Sequence, residues 1–250
     1  MSNGPLNAPY IGFTNLDILD NITHAVTTRT GPAFGQLGTD EATALAAAET
    51  AERLHMDGTA WVHQVHGNTI LQALKPGIVG QADGLVSDTS GLLIAGRSAD
   101  CPIVLLTGRR NDGSAVVGFA HASWRSTVKA ITRLLVEKLT DEMDCQKNSL
   151  HAAIAPSAGP CCYEIGEEVR EQALKELGPN SSEFFIRRNN NLFFDLWAAN
   201  ISQLTESGVP EEQIEISGIC TICDGDNFWS WRKQGHEAGR FAAVIGISEY

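Results

Sequence analysis

The first half of the chain consists of short apolar runs, rich in Val, Ile and Leu, that are separated by Gly, Pro, Asn or Asp. Short apolar runs between turn residues are typical of β-strands that are buried in a sheet. Strands are therefore predicted at residues 60–65, 69–74, 84–87, 92–96, 103–107 and 115–120, with later strands at 151–155, 214–218 and 241–247.

Helical spacing of apolar residues is found mainly in the second half of the chain. In the segment 126–139, Val128, Ile131 and Leu135 lie on one face of a helix. Strands in the first half with helices interspersed in the second predict an α/β or α+β fold with mixed sheets rather than a helix bundle. The other predicted helices are 166–177, 195–207 with Asp195 as its N-terminal cap, and the Ala- and Glu-rich segment 40–54.

Length and charge narrow the class of protein. The chain has 250 residues, of which 43% are hydrophobic, and no repeat or linker divides it, so one domain over residues 1–250 is expected. The net charge of −12 argues against nucleic acid or an anionic membrane as a partner, because phosphate groups would repel the average surface. No apolar run approaches the ~18 residues that span a bilayer.

Cysteine usage depends on the cellular compartment. The N-terminal residues show no basic segment followed by an apolar one, so no secretory signal peptide is recognised and a cytoplasmic location is expected. Cytoplasmic cysteines stay reduced, and each of them is therefore a candidate ligand or nucleophile rather than half of a disulfide. The six cysteines are Cys101, Cys145, Cys161, Cys162, Cys220 and Cys223.

Two histidines lie at the ends of predicted strands. His66 follows the strand 60–65, and His121 follows the strand 115–120. His63 lies three positions before His66, and positions three apart on a strand point to opposite faces, so these two are not expected to share a metal ion unless the chain bends. Taken alone, a histidine at such a position can equally be an ordinary surface or core residue.

The step Asp100-Cys101 places a carboxylate and a thiol between two predicted apolar strands. A buried carboxylate is unfavourable without a partner, and the expected partners of Asp100 are Arg97, Arg125 or a metal-ligating histidine. An inert buried thiol is the alternative explanation for Cys101, since free cysteines are among the most buried residues.

Arg125 follows His121 just before a predicted helix. Ligands of α/β proteins commonly bind where a strand leads into a helix, and a guanidinium group there is suited to phosphate, although an ordinary surface charge is the alternative. His66, Cys101 and His121 together offer two imidazoles and one thiolate, a ligand set compatible with catalytic zinc and an open coordination position. Spacing along the chain does not by itself bring the three together.

The remaining cysteines give weaker signals. Cys220 and Cys223 form a lone C-x-x-C without a second pair at zinc-finger spacing, which favours a packing role, and Cys161-Cys162 follow a Gly-Pro step that predicts a turn. Motifs of dinucleotide-binding oxidoreductases, P-loop NTPases, zinc proteases and serine hydrolases are absent from the sequence.

Several short motifs, each weak alone, occur together in one order. With this combination the chain resembles the YfiH family, whose members are described as purine nucleoside phosphorylases and formerly as multicopper polyphenol oxidoreductases or laccases. The resemblance extends roughly over residues 24–247. The motifs are Gln64-Val65-His66-Gly67, Ala99-Asp100-Cys101-Pro102, Ala120-His121-Ala122-Ser123-Trp124-Arg125, Gly159-Pro160-Cys161-Cys162-Tyr163-Glu164, Phe194-Asp195-Leu196-Trp197-Ala198-Ala199-Asn200, Cys220-Thr221 and Gly239-Arg240.

The resemblance implies a layered α/β fold of mixed β-sheets flanked by helices, shared with a bacterial cytotoxic necrotizing factor toxin. It implies a zinc ion bound by His66, Cys101 and His121. The implied activity is phosphorolysis of adenosine and inosine, with 5′-methylthioadenosine phosphorolysis and adenosine deamination beside it. A related bacterial member is linked to peptidoglycan synthesis, as an amidase that edits a wrongly loaded UDP-MurNAc-amino acid.

Two departures from the family pattern fall where a substrate would be recognised. The family usually has glycine at the positions of Ser123 and Ser126, so a tighter backbone approach or hydroxyl contacts are expected there. The family's Asn-Leu-Gly-rich loop and its later Asn-Arg pair are replaced at residues 35–40 and 49–51. Because the implied zinc ligands are intact, the metal site is better supported than the identity of the substrate.

The leading hypothesis is zinc-assisted chemistry on a purine nucleoside, with zinc holding a water or polarising a substrate oxygen. Arg125 would hold inorganic phosphate, with Arg232 and Arg240 as helpers. Asp100 would act as an acid–base group or orient a ligand. The expected partners are thus a nucleoside and phosphate, and the sequence does not indicate an oligomeric state.

Three alternatives stay open. Cys101 could be a thiolate nucleophile activated by His121, which would make the protein an amidase or deamidase, including one that edits peptidoglycan precursors. A non-enzymatic metal-binding module is the second alternative. A copper-dependent polyphenol oxidase ranks lowest, because two histidines and one cysteine are too few for a multicopper cluster of the usual histidine-rich kind.

Overall fold

The computed structural model describes residues 8–35 and 40–249. The strands are β1 (Tyr10–Ile11), β2 (Ile22–Thr27), β3 (Gly58–His63), β4 (Ile70–Gln72), β5 (Gly77–Gln81), β6 (Gly84–Ser87), β7 (Leu92–Ser98), β8 (Ile103–Arg109), β9 (Ala115–His121), β10 (His151–Ile154), β11 (Glu164–Ile165), β12 (Phe185–Arg188), β13 (Asn191–Phe194), β14 (Ile214–Ile216) and β15 (Phe241–Ile247). The α-helices are α1 (Thr14–Asp17), α2 (Asp40–Arg53), α3 (Trp124–Val128), α4 (Ile131–Glu137), α5 (Glu167–Leu177), α6 (Leu196–Glu206) and α7 (Trp231–Gln234). A π-helical turn spans Lys138–Glu142, and 3-10 helices span Lys147–Ser149, Pro179–Phe184, Glu211–Gln213 and Gly235–Glu237.

Two mixed β-sheets form the centre of the fold. The first sheet has the strand order β1-β2-β15-β7-β3-β5, and the second has the order β14-β10-β8-β9-β6-β4. In the first sheet β3 is parallel to β5 and β7, while β15 is antiparallel to β2 and β7. In the second, β4 is parallel to β6, and β8 is antiparallel to β9 and β10. The predicted mixed sheets are thereby confirmed, and a smaller antiparallel sheet, β11-β13-β12, adds to them.

The two large sheets pack face to face, and helices cover their outer faces. The core between the sheets contains Ile94 and Ile245 of the first sheet and Leu105 and Phe119 of the second, all fully buried. Full burial of such a side chain contributes about 1.5–3 kcal/mol, so this core holds the two sheets together. Helix α2 packs through Ala46, Ala47 and Ala51 against Trp61, Leu93 and Val244, and helices α4 and α6 pack through Ile131, Leu135 and Leu204 against Val104 and Leu106. The predicted layers are confirmed.

The predicted helix 126–139 was wrong as a single element. Helix α3 ends at Val128, Ala130 adopts a left-handed conformation with φ 58°, and α4 then begins. At the break the Thr127 carbonyl accepts hydrogen bonds from the Ala130 N–H at 2.9 Å and from the side-chain amide of Gln203 on α6 at 2.8 Å. A buried amide from a neighbouring helix therefore stabilises an interruption that the apolar spacing does not reveal.

Some strands escaped prediction because their patterns are weak. In β2 Thr23 and His24 interrupt the apolar residues without a regular alternation. Strand β5 is partly exposed along its length, and two of its five residues, Gly77 and Gly80, are glycines. The first seven residues and residues 36–39, which include part of the altered family loop, lie outside the described residues. Across residues 8–35 and 40–249, no helix combines the length and the apolar character needed to cross a bilayer.

The sheet topology brings several strand ends to one edge. Because β3 and β7 are parallel neighbours, their last residues, His63 and Ser98, lie at the same edge of the first sheet. Strand β15 begins opposite Ser98, which brings Arg240 to that edge as well. In the second sheet β9 ends at His121, beside the start of β8. The segments that follow β3, β7 and β9 therefore meet, and the candidate site lies among them.

Candidate active site

The structure brings His66, Cys101 and His121 together. One ligand atom of each residue lies within 4.8 Å of the other two, and the two imidazole rings are 5.1 Å apart between centroids. His66 is exposed, Cys101 is partly buried and His121 is buried, so the cluster opens to solvent on one side. Three protein ligands with an open side are typical of catalytic zinc.

Asp83 holds this cluster in place and was missed by the sequence analysis. Its side chain is fully buried, and its Oδ1 accepts hydrogen bonds from Nδ1 of His121 at 2.8 Å and from the backbone N–H of His66 at 2.9 Å. Its Oδ2 accepts from the backbone N–H groups of Gly67 at 2.6 Å and Val65 at 3.2 Å. One signal was available: an acid directly before the apolar strand β6 needs buried partners.

The donor set and its support fit zinc. With Nδ1 of His121 bonded to the Asp83 carboxylate, Nε2 is left as the ligand atom, and a carboxylate behind a ligating histidine is the usual way in which proteins orient such a ligand. Imidazole nitrogens and a thiolate are both within the range of zinc ligands. His63, in contrast, lies near Asp40, with 3.7 Å between its Nε2 and a carboxylate oxygen.

Cys101 and His121 shift each other's pKa toward the charged forms. Burial alone would raise the pKa of the Cys101 thiol, but the positive charge and the hydrogen bond of His121, with a hydrogen bond from His66, lower it to about 6. Burial alone would lower the pKa of His121, but the Cys101 thiolate and the Asp83 carboxylate raise it to about 9. At neutral pH the metal-free cluster is therefore a thiolate beside an imidazolium, and the thiolate is the form that binds metals.

Two residues of the site have left-handed backbone conformations. His66 has φ 58° and Asp100 has φ 97°. Residues other than glycine in this region are strained unless their surroundings hold them, and such strain often occurs at functional sites. Asp83 holds the backbone at His66, and the Asp100 carbonyl accepts a hydrogen bond from the N–H of Ala158 at 2.7 Å.

The expected partners of Asp100 were wrong. Its Oδ1 accepts a hydrogen bond from the Thr221 hydroxyl at 2.7 Å, and its Oδ2 accepts from the backbone N–H of Arg232 at 2.6 Å. Arg97 instead donates to the Thr43 hydroxyl at 2.8 Å. Both oxygens of Asp100 thus join the loop after β7 to the C-terminal segments. Thr221 and Arg232 are far from Asp100 in sequence, so the sequence did not indicate them as its partners.

The serines that replace the family glycines contact each other. Ser123 caps α3, accepting from the N–H of Ser126 at 3.2 Å, and the two hydroxyl oxygens lie 2.7 Å apart. Both side chains are buried, at 1% and 0% exposure, so these hydroxyls stabilise the first turn of the helix. Since α3 begins at Trp124, Arg125 lies inside the helix rather than before it.

The three predicted phosphate-binding arginines line the same cavity. The guanidinium group of Arg125 lies 4.4 Å from the ring centre of Trp124, that of Arg232 lies 5.0 Å from Tyr163, and that of Arg240 lies 5.3 Å from Trp231. Contact with an aromatic ring limits the mobility of each guanidinium group. Arg232 also donates to the Glu164 carbonyl at 2.7 Å, and Arg240 donates to the Ala238 carbonyl at 2.8 Å.

The cavity has the size of a small-molecule site. Its volume is about 630 Å³, within the roughly 300–1,000 Å³ typical of ligand pockets. It contains every site residue that the sequence indicated, together with residues that sequence reasoning did not assign to the site. The lining residues are Gln64, His66, Arg97, Ser98, Ala99, Asp100, Cys101, His121, Ser123, Trp124, Arg125, Tyr163, Trp231, Arg232 and Arg240.

Gln64 explains how the loop that carries His66 is attached. Its side-chain amide donates to the Arg97 carbonyl at 2.8 Å and accepts from the Arg97 N–H at 2.8 Å. The side chain thus continues the pairing of β3 with β7 beyond the end of β3. The Gln-Val-His-Gly motif is therefore a structural unit that places His66 beside Cys101.

A second group of potential ligands lies outside this cavity lining. Cys161, Cys162, Cys220 and Cys223 have sulfur atoms that all lie within 4.8 Å of one another. The sequence offers no second pair at zinc-finger spacing, but the fold brings a second pair to Cys220 and Cys223. The second pair is the adjacent Cys161-Cys162, and it lies too far away in sequence, 61 positions between Cys162 and Cys223, for a spacing rule to detect.

Comparison with known proteins shows the family. The family model described as multi-copper polyphenol oxidoreductase laccase matches residues 35–248. The chain belongs to this family. The crystal structure of Bacillus licheniformis YfiH has the same fold as this laccase-family chain, with a TM-score of 0.85 at 23% identity over 96% of the chain and 97% of YfiH. Membership of the YfiH family, inferred from the motifs, is confirmed.

Relatives of this laccase-family chain have names that refer to nucleosides. A purine nucleoside phosphorylase of Deinococcus radiodurans is 34% identical over 191 residues, which cover 76% of the chain and 71% of the relative. The purine nucleoside phosphorylase YlmD of Geobacillus stearothermophilus is 32% identical over 217 residues, covering 80% and 76%. Adenosine deaminase RL5, from an unknown prokaryotic organism, is 34% identical over 161 residues, covering 63% and 59%.

Proposed function

We propose that this protein is a zinc-dependent purine nucleoside phosphorylase that acts on adenosine and inosine. The observation that carries the proposal is that one cavity contains both the His66, Cys101 and His121 cluster and the arginines Arg125 and Arg232. The names of the relatives support the same class of reaction. A cytoplasmic location, where these cysteines would stay reduced, belongs to the proposal.

In phosphorolysis an oxygen of inorganic phosphate forms a bond to C1′ of the ribose while the bond from C1′ to the purine nitrogen breaks. The purine leaves with the electron pair and takes up a proton, and ribose 1-phosphate is formed. Zinc bound by His66, Cys101 and His121 would supply a Lewis acid that polarises a substrate oxygen or holds a water. The remaining tasks, binding phosphate, orienting the nucleoside and protonating the purine, belong to side chains of the cavity.

Phosphate is held by the arginines in this proposal. Guanidinium groups donate two parallel hydrogen bonds to phosphate oxygens, and Arg125, Arg232 and Arg240 line one cavity. The total charge of the chain is −12, so this local group of cations is what would concentrate an anion against the average field of the surface.

Asp100 is a positioning residue in this scheme rather than an acid–base group. Its carboxylate already accepts hydrogen bonds from the Thr221 hydroxyl and the Arg232 N–H, which attaches the backbone of Arg232 to the loop that carries Cys101. Tyr163 is the better candidate for a hydrogen bond to the purine. Burial and the nearby Cys101 raise the pKa of its phenol, so Tyr163 remains a neutral donor at the cavity wall.

The experiment is a product analysis with purified protein, adenosine or inosine, and inorganic phosphate. We expect free purine and ribose 1-phosphate in equal amounts, no turnover without phosphate, loss of turnover on full chelation, and recovery with zinc. Turnover that is independent of phosphate would contradict the proposal, and release of ammonia from adenosine would assign the protein to deamination, the reaction named in the relative RL5.

The same experiment tests the thiol alternative. A thiolate at Cys101 beside a protonated His121 also resembles the pair used by cysteine nucleophiles. If turnover survives full chelation but is abolished by iodoacetamide, Cys101 acts as the nucleophile and zinc is not required. The variant Cys145→Ser is the matched control, because Cys145 is a buried thiol that belongs to neither cysteine-containing cluster.

A further inference from the structure

We infer that Cys161, Cys162, Cys220 and Cys223 form a second metal site, which binds one zinc ion through four thiolates. The sulfur atoms of Cys161 and Cys223 are 3.7 Å apart, those of Cys162 and Cys223 are 3.3 Å apart, and all four lie within 4.8 Å of one another. A tetrahedron with zinc–sulfur bonds of about 2.3 Å has edges of about 3.8 Å. The four sulfurs are therefore already spaced as ligands of one ion.

The backbone brings the two cysteine pairs together. Ser157 and Cys220 form an isolated parallel bridge, in which the Ser157 N–H donates to the Ile219 carbonyl at 3.1 Å and the Thr221 N–H donates to the Ser157 carbonyl at 3.0 Å. After this bridge each segment turns sharply. In the first segment the Cys162 N–H donates to the Gly159 carbonyl at 3.0 Å and closes a turn. This turn places the sulfurs of Cys161 and Cys162 against the sulfur of Cys223.

Gly159 is required at the centre of this arrangement. A Cβ atom there would lie 2.7 Å from the ring of Trp197 and 3.2 Å from Cβ of Cys220, so any side chain would push the segments apart. Its N–H donates to the sulfur of Cys220 at 3.3 Å. Backbone N–H groups that donate to a ligand sulfur are a common feature of metal sites, because they stabilise the thiolate.

The spacing favours one zinc ion over other uses of four thiols. Four thiolates in a tetrahedron are typical of structural zinc or of an iron–sulfur centre, but four sulfurs within 4.8 Å fit a single ion better than a cluster that spreads its cysteines over several irons. Disulfide formation among these thiols would need an oxidant, whereas binding of a zinc ion needs none. Cys161 and Cys223 are exposed, so an ion can reach the site from solvent.

The second site lies directly behind the wall of the active-site cavity. Tyr163, which lines the cavity, follows Cys162, and Thr221, which donates to Asp100, follows Cys220. An ion held by both pairs would therefore fix Tyr163 and Asp100 relative to each other. Its predicted role is structural: it stabilises the fold and the cavity wall, and it takes no part in the reaction.

The test counts metal in protein purified under reducing conditions from zinc-supplemented medium, by plasma mass spectrometry. Two clusters predict two zinc ions per chain in the wild type and in Cys145→Ser, and one ion in Cys101→Ala, whose remaining ion is at the second site. The double variant Cys162→Ser/Cys223→Ser should also retain one ion. The double variant should melt at a lower temperature than the wild type, because it lacks the ion at the second site. Chelation, which removes that ion from Cys101→Ala, should lower the melting temperature of Cys101→Ala in the same way.

Cobalt(II) substitution gives a second measurement that does not require the double variant to fold. In the wild type, four of the five coordinating thiolates belong to the second site, so Cys101→Ala should keep about four fifths of the sulfur-to-cobalt charge-transfer absorption. One zinc ion per chain in the wild type, with no such absorption in Cys101→Ala, would overturn the inference. A disulfide among these cysteines after anaerobic purification, seen as a mass loss of two hydrogens, would overturn it as well.

Discussion

Asp83→Asn is the substitution that tests the support of the metal cluster most sharply. The carboxylate accepts four hydrogen bonds, two on Oδ1 from His66 and His121 and two on Oδ2 from Val65 and Gly67. An amide keeps the shape but has one accepting oxygen. Whichever way it turns, its NH₂ group faces two N–H donors, and those hydrogen bonds are lost.

The magnitude follows from these contacts. Loss of a hydrogen bond to a charged group costs about 1.5–3 kcal/mol, and water can replace part of the loss at the exposed loop, so we expect the metal-free variant to be about 2–4 kcal/mol less stable. Zinc affinity at the His66, Cys101 and His121 cluster should fall about 10–100-fold, because the His121 ring loses its orienting carboxylate. Urea unfolding of metal-free protein and competition with a zinc chelator measure the two effects.

The pH dependence gives a separate check on the same variant. Burial raises the pKa of Asp83, but the hydrogen bond and charge of His121 and the N–H groups of Gly67 and His66 lower it below its usual value of 3.8. A group whose folded pKa is lowered stabilises the fold above its unfolded pKa and loses that contribution as the pH falls through the folded pKa. The stability difference between metal-free wild type and Asp83→Asn should therefore be largest at mildly acidic pH. It should narrow in strong acid as Asp83 is protonated, and narrow again as the pH rises toward about 9, where His121 loses the proton that Asp83 stabilises.

A control on the same strand segment isolates the effect. Asp88 lies just after β6 and pairs with Arg110 at 2.8 Å on a partly exposed surface, so Asp88→Asn should cost at most about 1 kcal/mol. It should leave zinc affinity unchanged. If folded Asp83→Asn bound zinc as tightly as the wild type, the proposed role of Asp83 in orienting His121 would be refuted.

The remaining predictions concern the cavity. Arg125→Ala should raise the KM for phosphate about 10–100-fold, as loss of a charged hydrogen-bonding pair does, whereas the KM for the nucleoside should change little. Tyr163→Phe should lower kcat more than it changes the KM for phosphate, and equal kcat values would exclude its contact with the purine. Thr221→Val should cost about 1.5–3 kcal/mol of stability, measured by urea unfolding, because Oδ1 of the buried Asp100 loses its hydroxyl donor while Oδ2 keeps the Arg232 N–H. In chelated protein the alkylation of Cys101 should rise with pH around a midpoint of about 6, read by peptide mass mapping; a midpoint near that of a free thiol would contradict the thiolate–imidazolium pair.

The sequence showed the individual chemistry-bearing residues better than their arrangement. His66, Cys101 and His121 each stand beside a strong apolar strand, and a polar residue at a strand end is visible in the pattern. Their arrangement depends on long-range strand pairing, which periodicity does not encode. Strands β3 and β7 are parallel neighbours in one sheet, and β9 belongs to the facing sheet. The family motifs supplied that convergence, and the geometry agrees with them.

Residues that act through contacts distant in sequence were the ones missed. Asp83 is a single acid before an apolar run, and its role depends on a loop 16 to 18 positions away and on His121 at 38 positions. Cys161 and Cys162 meet Cys223 only because one parallel bridge joins two turns. Local patterns predict strands and helices, whereas such bridges depend on the packing of the whole fold.

The central claim is that nucleoside phosphorolysis depends on the metal cluster in the arginine-lined cavity. The most direct measurement compares phosphate-dependent cleavage of adenosine and inosine by the wild type and by Cys101→Ala, with zinc content determined on the same samples. We predict that Cys101→Ala loses one zinc ion per chain and nearly all phosphorolysis while its fold is retained. Equal rates of phosphorolysis by the two proteins would contradict the account.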